Sequence, residues 1–224
     1  MDTLKFLLIG LVALVLVAVG VPLFLSSQFR AKIEALRRIV SAAQKSSAPD
    51  QNAIPEIMRT FAVRNGATLR GSPTVLAHQS DQMKSAPDQP FFALEATQLS
   101  GTRDPGFVWE ATATMAAVVP MRVVDSYAGK GWLEVRLAGA IPVATAGGPD
   151  VDKGEMMRFL AELAWNPDAI LNAPALRWRQ IDARTVEVSV DTSGEIVAVR
   201  QLFDANGDIV AIEADDRPYL VNGK

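Results

Sequence analysis

Glu155, Arg158 and Glu162 are spaced by three and four residues, so on a helix all three share one face. An arginine between two carboxylates has two uses. On a solvated flank it makes an ordinary ion-paired ridge. Inside a concave surface it is costly to bury, and its carboxylates become candidates for acid–base work or for holding a ligand. Asp125 and Tyr127 form a second polar cluster and share one face of any strand that contains them, whereas Arg122 falls on the other face. Trp109 and Trp165 belong to four tryptophans spread through the chain. Such residues serve as core anchors or as walls of an apolar pocket, and a pocket follows if they converge on one concavity. The ligand-binding candidates are therefore Glu155, Arg158, Glu162, Trp165, Trp109, Asp125 and Tyr127, with no catalytic or metal-ligating assignment.

Other chemistries have little to work with. The chain holds no cysteine, a single histidine (His78) and no G-x-S-x-G motif, so nucleophilic catalysis is poorly supplied. A transition-metal site would rest almost entirely on carboxylates. Asp204-Ala205-Asn206-Gly207-Asp208 looks like the start of a calcium loop, but its glycine comes fourth rather than sixth and its twelfth position is Asp215. A hairpin turn accounts for it better. No cofactor is expected. Six of the 22 Lys and Arg and two of the 25 Asp and Glu fall in residues 1–49, which leaves the remainder at a net charge of −7. So acidic a region is a poor nucleic-acid binder.

The elements that must position these residues begin with an apolar run. Phe6 to Leu25 carries no charged or polar side chain. As a helix it rises about 30 Å, the thickness of a bilayer's hydrocarbon core. Bulky residues stand where a signal peptidase wants small ones, so an uncleaved anchor is expected, with the bilayer as partner through residues 6–25. Arg30, Lys32, Arg37 and Arg38 flank it on the C-terminal side, which favours a cytoplasmic domain. Long domains also translocate with little regard for charge, so both sides stay open. Phe29, Ile33, Leu36, Val40 and Ala43 then draw one apolar stripe. It either docks on the domain or lipid interface, or forms a weak homodimer seam through residues 29–43. The expected division is an anchor at 1–28, an amphipathic helix and linker at 29–52, and a β-rich domain at 53–224.

Within that domain, Pro55 opens a short helix ended by Asn65-Gly66. Period-two patterning marks strands over 75–82, 91–99, 106–117, 121–127 and 131–137. Asp152 to Leu163 reads as the main helix, with Asp152 as its cap, and Pro167 starts a second short one. Strands return over 185–190, 195–203 and 209–214, separated by Thr192-Ser193-Gly194 and Asp204-Ala205-Asn206-Gly207. The fold class is α+β: a transmembrane helix, then a curved antiparallel sheet or open β-barrel of about eight strands cupping an inserted helix.

Pro90-Phe91-x-Ala93-x-x-x-x-Gln98, Phe107-x-Trp109, Asp125-x-Tyr127-x-Gly129-x-Gly131 and Gly154-Glu155-x-x-Arg158-Phe159-Leu160-Ala161-Glu162-x-x-Trp165-x-Pro167 resemble an uncharacterised bacterial family of membrane-associated proteins. Trp178-x-x-Ile181-Asp182, Phe203-Asp204-x-x-Gly207 and Asp216-Arg217 extend the likeness over most of residues 54–217. The family's function is unknown, so the resemblance implies no reaction. The element order is also similar to the Lol-type lipoprotein-carrier fold, an incomplete barrel that holds lipid, although those carriers lack a spanning helix.

The functional expectation is a membrane-tethered module that binds an apolar or amphipathic small molecule, lipid-derived ligands included. The alternatives are a hydrolase using Glu155, Glu162 or Asp125, and an envelope domain that docks a protein partner.

Overall fold

The computed structural model describes residues 2–44, 49–84, 87–115, 119–192 and 194–218. Ser46–Ala48 of the expected linker, Ala116 and Ala117 of the third expected strand, and Ser193 of the expected turn lie outside the described residues.

A single helix, α1 (Asp2–Ala43), joins the apolar run to the amphipathic stripe. It is long and apolar enough to cross a membrane, a property that a signal sequence shares. Its large apolar side chains are exposed from Leu14 to Leu25, and Leu14 and Phe24 keep 65% and 61% of their surface. The stripe behaves oppositely. Phe29, Ile33 and Val40 are buried against Val108 and Val124 of the domain, with Leu36 and Trp132 beside them. The intramolecular dock, one of the two uses left open for this stripe, is the one it takes here.

α2 (Glu56–Arg64) follows, then five hairpin-connected strands: β1 (Thr74–Met83), β2 (Phe92–Gly101), β3 (Phe107–Met115), β4 (Val119–Tyr127) and β5 (Gly131–Leu137). A sixth, β6 (Ile141–Gly147), completes an antiparallel sheet in the order β1 to β6. α3 (Pro149–Ala161), a 3-10 turn at Glu162–Ala164 and α4 (Pro167–Asn172) lead to β7 (Arg177–Asp182), β8 (Thr185–Thr192), β9 (Glu195–Phe203) and β10 (Ile209–Glu213). These four make a second antiparallel sheet in the order β10-β9-β8-β7.

The α+β class and the apolar N-terminal helix are as expected, and no barrel closes among the described residues. The described strands number ten rather than about eight, and they form two sheets, because β6 and β7 went unread. Pairing is fixed by the alternation of side chains. Odd-numbered Phe107, Trp109, Ala111 and Ala113 of β3 face the main core, while even-numbered Val108 faces α1.

α3 lies between the sheets. Met156, Met157, Phe159 and Leu160 pack with Phe107 and Tyr127 on one side and with Val188, Val197 and Val199 on the other. Its expected cap, Asp152, sits instead in its first turn. Pro149 starts the helix, since a proline at the first helical position sacrifices no hydrogen bond, and Gly148 occupies the N-cap without a side-chain cap. Asp152 Oδ1 accepts a hydrogen bond from the Gly131 N–H at 2.6 Å. A Cβ on Gly131 would stand 2.6 Å from the Val151 carbonyl oxygen. Only glycine allows that approach, which sets α3 against β5 and so places Arg158.

Candidate functional site

The inner face of the six-stranded sheet, with the C-terminal half of α3 along one side, borders an open cavity of about 1090 Å³. That is at the upper end of small-molecule pockets, which run from about 300 to about 1,000 Å³. Its lining is graded. One region carries Arg158, Glu162, Asp125 and Arg217. The rest is mainly apolar, with Phe92, Leu94, Ala113 and Met121 among the walls, and His78 to Asp81 of β1 add a polar edge.

Arg158 is the centre of the polar region. Its Nη1 donates to Asp125 Oδ2 at 2.7 Å, its Nε to Glu162 Oε1 at 2.8 Å, and its Nη2 to Gln98 Oε1 at 3.2 Å. Gln98 turns its amide nitrogen to Glu162 Oε2 and to Ser100 Oγ, so one glutamine closes the ring. The guanidinium also lies 4.9 Å from the Phe107 ring and 5.2 Å from the Trp109 ring, within cation–π range. Three elements that are remote in sequence supply these groups: β2 gives Gln98, β4 gives Asp125, and α3 with its terminal turn gives Arg158 and Glu162.

Glu155 completes the cluster from behind. It is 8% exposed and is not among the lining residues. Its carboxyl interacts with that of Asp125, and Glu155 Oε2 and Asp125 Oδ1 are both buried with no other hydrogen-bond partner. Two carboxylates cannot bond without a proton between them, and burial dictates where it stays. Desolvation, then the Asp125 charge, push Glu155 from its ordinary 4.5 up to about 8. Desolvation also raises Asp125, against the pull of Arg158. Near neutral pH the pair therefore holds a shared proton. Burial works against the charge of Arg158, but Glu162 and Asp125 more than offset it and hold the guanidinium cationic.

Of the seven candidate residues, five meet at the cavity wall: Asp125, Arg158, Glu162, Trp109 and Trp165. Trp109 is a buried wall whose indole Nε1 donates to Gln79 Oε1 at 2.7 Å. Trp165 is 55% exposed, so it rims the cavity instead of anchoring a core. Glu155 lies behind the wall. Tyr127 shares the face of Asp125, as alternation requires, but is buried in the core beside α3, where burial and then Asp152 raise its phenol. Arg122 projects from the opposite face towards Glu110, 3.5 Å away.

Two residues of the cavity wall or its cluster escaped the reading of chemistry from spacing. Gln98 is uncharged and sits in an ordinary alternating strand. Arg217 lies beyond the last strand, yet its charge favours ionisation of both Asp125 and Glu155. Both fall within the motifs of the family resemblance, which was the signal that could have found them. The Asp204–Asp208 segment is a turn: Asp204 Oδ1 accepts from the Asn206 and Asp208 N–H groups at 2.8 and 2.9 Å.

A long apolar helix docked on a two-sheet α+β domain, with an arginine–carboxylate cluster in the wall of a large cavity, defines a class by architecture and not by reaction. The chain belongs to a family of unknown function, DUF6544, whose model matches residues 44–224. That match begins where α1 ends and takes in every residue of the cluster. No curated protein and no solved structure matches the chain.

Proposed function

We propose that this protein is a membrane-tethered binding module whose cavity holds an amphipathic, lipid-like ligand. The observation that carries the reading is the graded cavity: apolar walls along β2, β3 and β4 run to a hydrogen-bonding cluster around Arg158. Such a lining suits a tail in the apolar part and a polar head at the cluster. The test is native mass spectrometry and lipid analysis of the full chain extracted in mild detergent. An acyl-chain amphipath should co-purify with the wild type. Ala113→Trp, which fills the apolar part, should lose it while keeping the fold. A wild type that carries no such molecule and binds no fluorescent fatty-acyl probe would sink the reading.

One observation favours a second reading. The Asp125–Glu155 pair keeps a proton near neutral pH, and Asp125 reaches the cavity, which is what a carboxylate-dependent hydrolase needs. Hydrolysis of amphipathic esters or glycosides that vanishes in Asp125→Asn, with folding intact, would favour that reading over simple binding.

A further inference from the structure

The six-stranded sheet has two ends, and they differ. The β2–β3 loop marks one, where Gln44 at the foot of α1 donates to the Asp104 carbonyl at 3.0 Å. The turns after β1, β3 and β5 mark the other. There, register places Met83 opposite Phe92, Leu94 opposite Ala113, and Leu137 opposite both Met121 and Ile141.

The apolar half of α1 leaves the domain at this second end. Arg136 Nη1 donates to the Leu25 carbonyl at 3.4 Å, and Gly139 in the β5–β6 turn abuts Ser26. The hairpin ends on this side of the sheet expose apolar side chains: Ile141 (57% exposed) and Val143 (52%) beside the exit, and Phe91 (62%) and Met83 (44%) towards the opposite edge of the sheet. Lys84 Nζ lies 4.6 Å from the Phe91 ring and Arg30 is exposed one turn beyond Ser26, while Asp81 and Asp88 are exposed at the same end of the β1–β2 hairpin. Aromatic and aliphatic tips beside lysine and arginine suit the boundary between anionic head groups and acyl chains. Met83, Phe92, Leu94, Ala113 and Met121, the apolar walls of the cavity, belong to this same end of their strands. The polar cluster lies farther along the strands, at Gln98 and Asp125.

We propose that the β1–β2 and β5–β6 hairpin tips rest in the head-group layer of the bilayer that α1 enters, so that the apolar end of the cavity faces lipid and takes its ligand from that leaflet. The inference rests on the reading of α1 as a membrane helix. Because α1 is one continuous helix docked along the sheet through Phe29, Ile33 and Val40, the β5–β6 tip stands beside the membrane entry point, with the β1–β2 tip at the same end of the sheet and across its width, and neither is at the end of a flexible tether. Occupancy by a second protein would instead leave the tips shielded from lipid.

The absence of cysteine makes the test direct. Single-cysteine variants Val17→Cys, Phe91→Cys, Ile141→Cys and Lys130→Cys of the full chain carry an environment-sensitive fluorophore. They are reconstituted in phosphatidylcholine–phosphatidylglycerol vesicles with or without nitroxide-labelled lipid. Position 17 reports the helix, positions 91 and 141 the tips, and position 130 the turn at the opposite end of the sheet. The expected result is strong quenching at 17, 91 and 141 and none at 130. Quenching at 17 alone would overturn the inference and leave the anchor standing. No quenching at 17 would overturn both.

Discussion

Glu155→Gln isolates the proton that the cluster holds. Burial, then the neighbouring Asp125 charge, lift Glu155 from 4.5 to about 8. The sign follows from linkage. Between those values the folded chain keeps a proton that the unfolded chain has released, so stability is complete below about 4.5 and drains away as pH rises through 8. Each pH unit in that window costs about 1.4 kcal/mol, so moving from about pH 5 to about pH 8 removes at most ~4 kcal/mol. Asp125 is raised as well, but the two carboxyls share one proton, which is counted once. The lowered carboxyls of Asp182, Asp204 and Asp215 lose their protons below the window and leave its slope alone. A glutamine cannot ionise, and its amide can donate to Asp125 Oδ1. The assay is urea unfolding of the full chain in detergent, followed by tryptophan fluorescence at about pH 5, 6.5 and 8, points chosen to bracket the titration. The wild type should lose stability across the series. Glu155→Gln should be flat, matching the wild type at the acid end and exceeding it by a few kcal/mol at the alkaline end. Parallel curves for the two proteins would refute the shared-proton account.

Three further outcomes follow from the same geometry. Arg158→Ala strips the partner from the largely buried Asp125 and Glu162 and should cost about 3–5 kcal/mol in a denaturant titration; a loss below ~1 kcal/mol would mean that the cluster is solvated. Gly131→Ala forces a Cβ against the Val151 carbonyl and should cost about 1–3 kcal/mol. It should also weaken ligand retention, since α3 must move and carry Arg158 with it; co-purified ligand measured against the wild type reads this out. Phe29→Ala empties a fully buried site beneath Trp132 and should destabilise by about 3–5 kcal/mol, with faster hydrogen exchange in α1 beyond Ser26 and little change in α3.

The helix motif was the legible part of the site. Three-and-four spacing put Arg158 and Glu162 on one face, and alternation put Asp125 and Tyr127 on one face of β4. What spacing could not say was which strand each helix face would meet, because α3 and β4 are brought together by the core and not by local sequence. The missed strands have a common cause. β6 is exposed at all but one of its seven positions, and β7 at all but Trp178. An edge strand with no buried face writes no period-two signal, and charge or proline along it, as at Pro142, Arg177 and Arg179, further masks the pattern while guarding against edge-to-edge pairing. Missing those two edges hid the division into two sheets. Trp165, for which a core anchor and a pocket wall were both open, lines the cavity rim, because the break at Asn166-Pro167 turns it outward at the end of the 3-10 turn.

The charge balance of the cluster narrows what the cavity can prefer. Arg158 and Arg217 bring two positive charges. Glu162 brings one negative charge, and the Asp125–Glu155 pair, holding its proton, brings one more. The cluster is thus close to neutral near pH 7. A fixed anion such as a free phosphate would have to compete with Asp125 and Glu162 for Arg158, and displacing either leaves a buried carboxylate unpaired, which costs several kcal/mol. An uncharged hydrogen-bonding head, such as a hydroxyl, ester or amide, meets no such penalty. On the binding-module reading, selection therefore rests on shape and hydrogen bonds, and raising the pH past about 8 should weaken retention of a neutral amphipath by adding an unbalanced charge behind the wall. Retention that is unchanged across that titration, in a chain that still unfolds cooperatively, would place the head group away from Asp125.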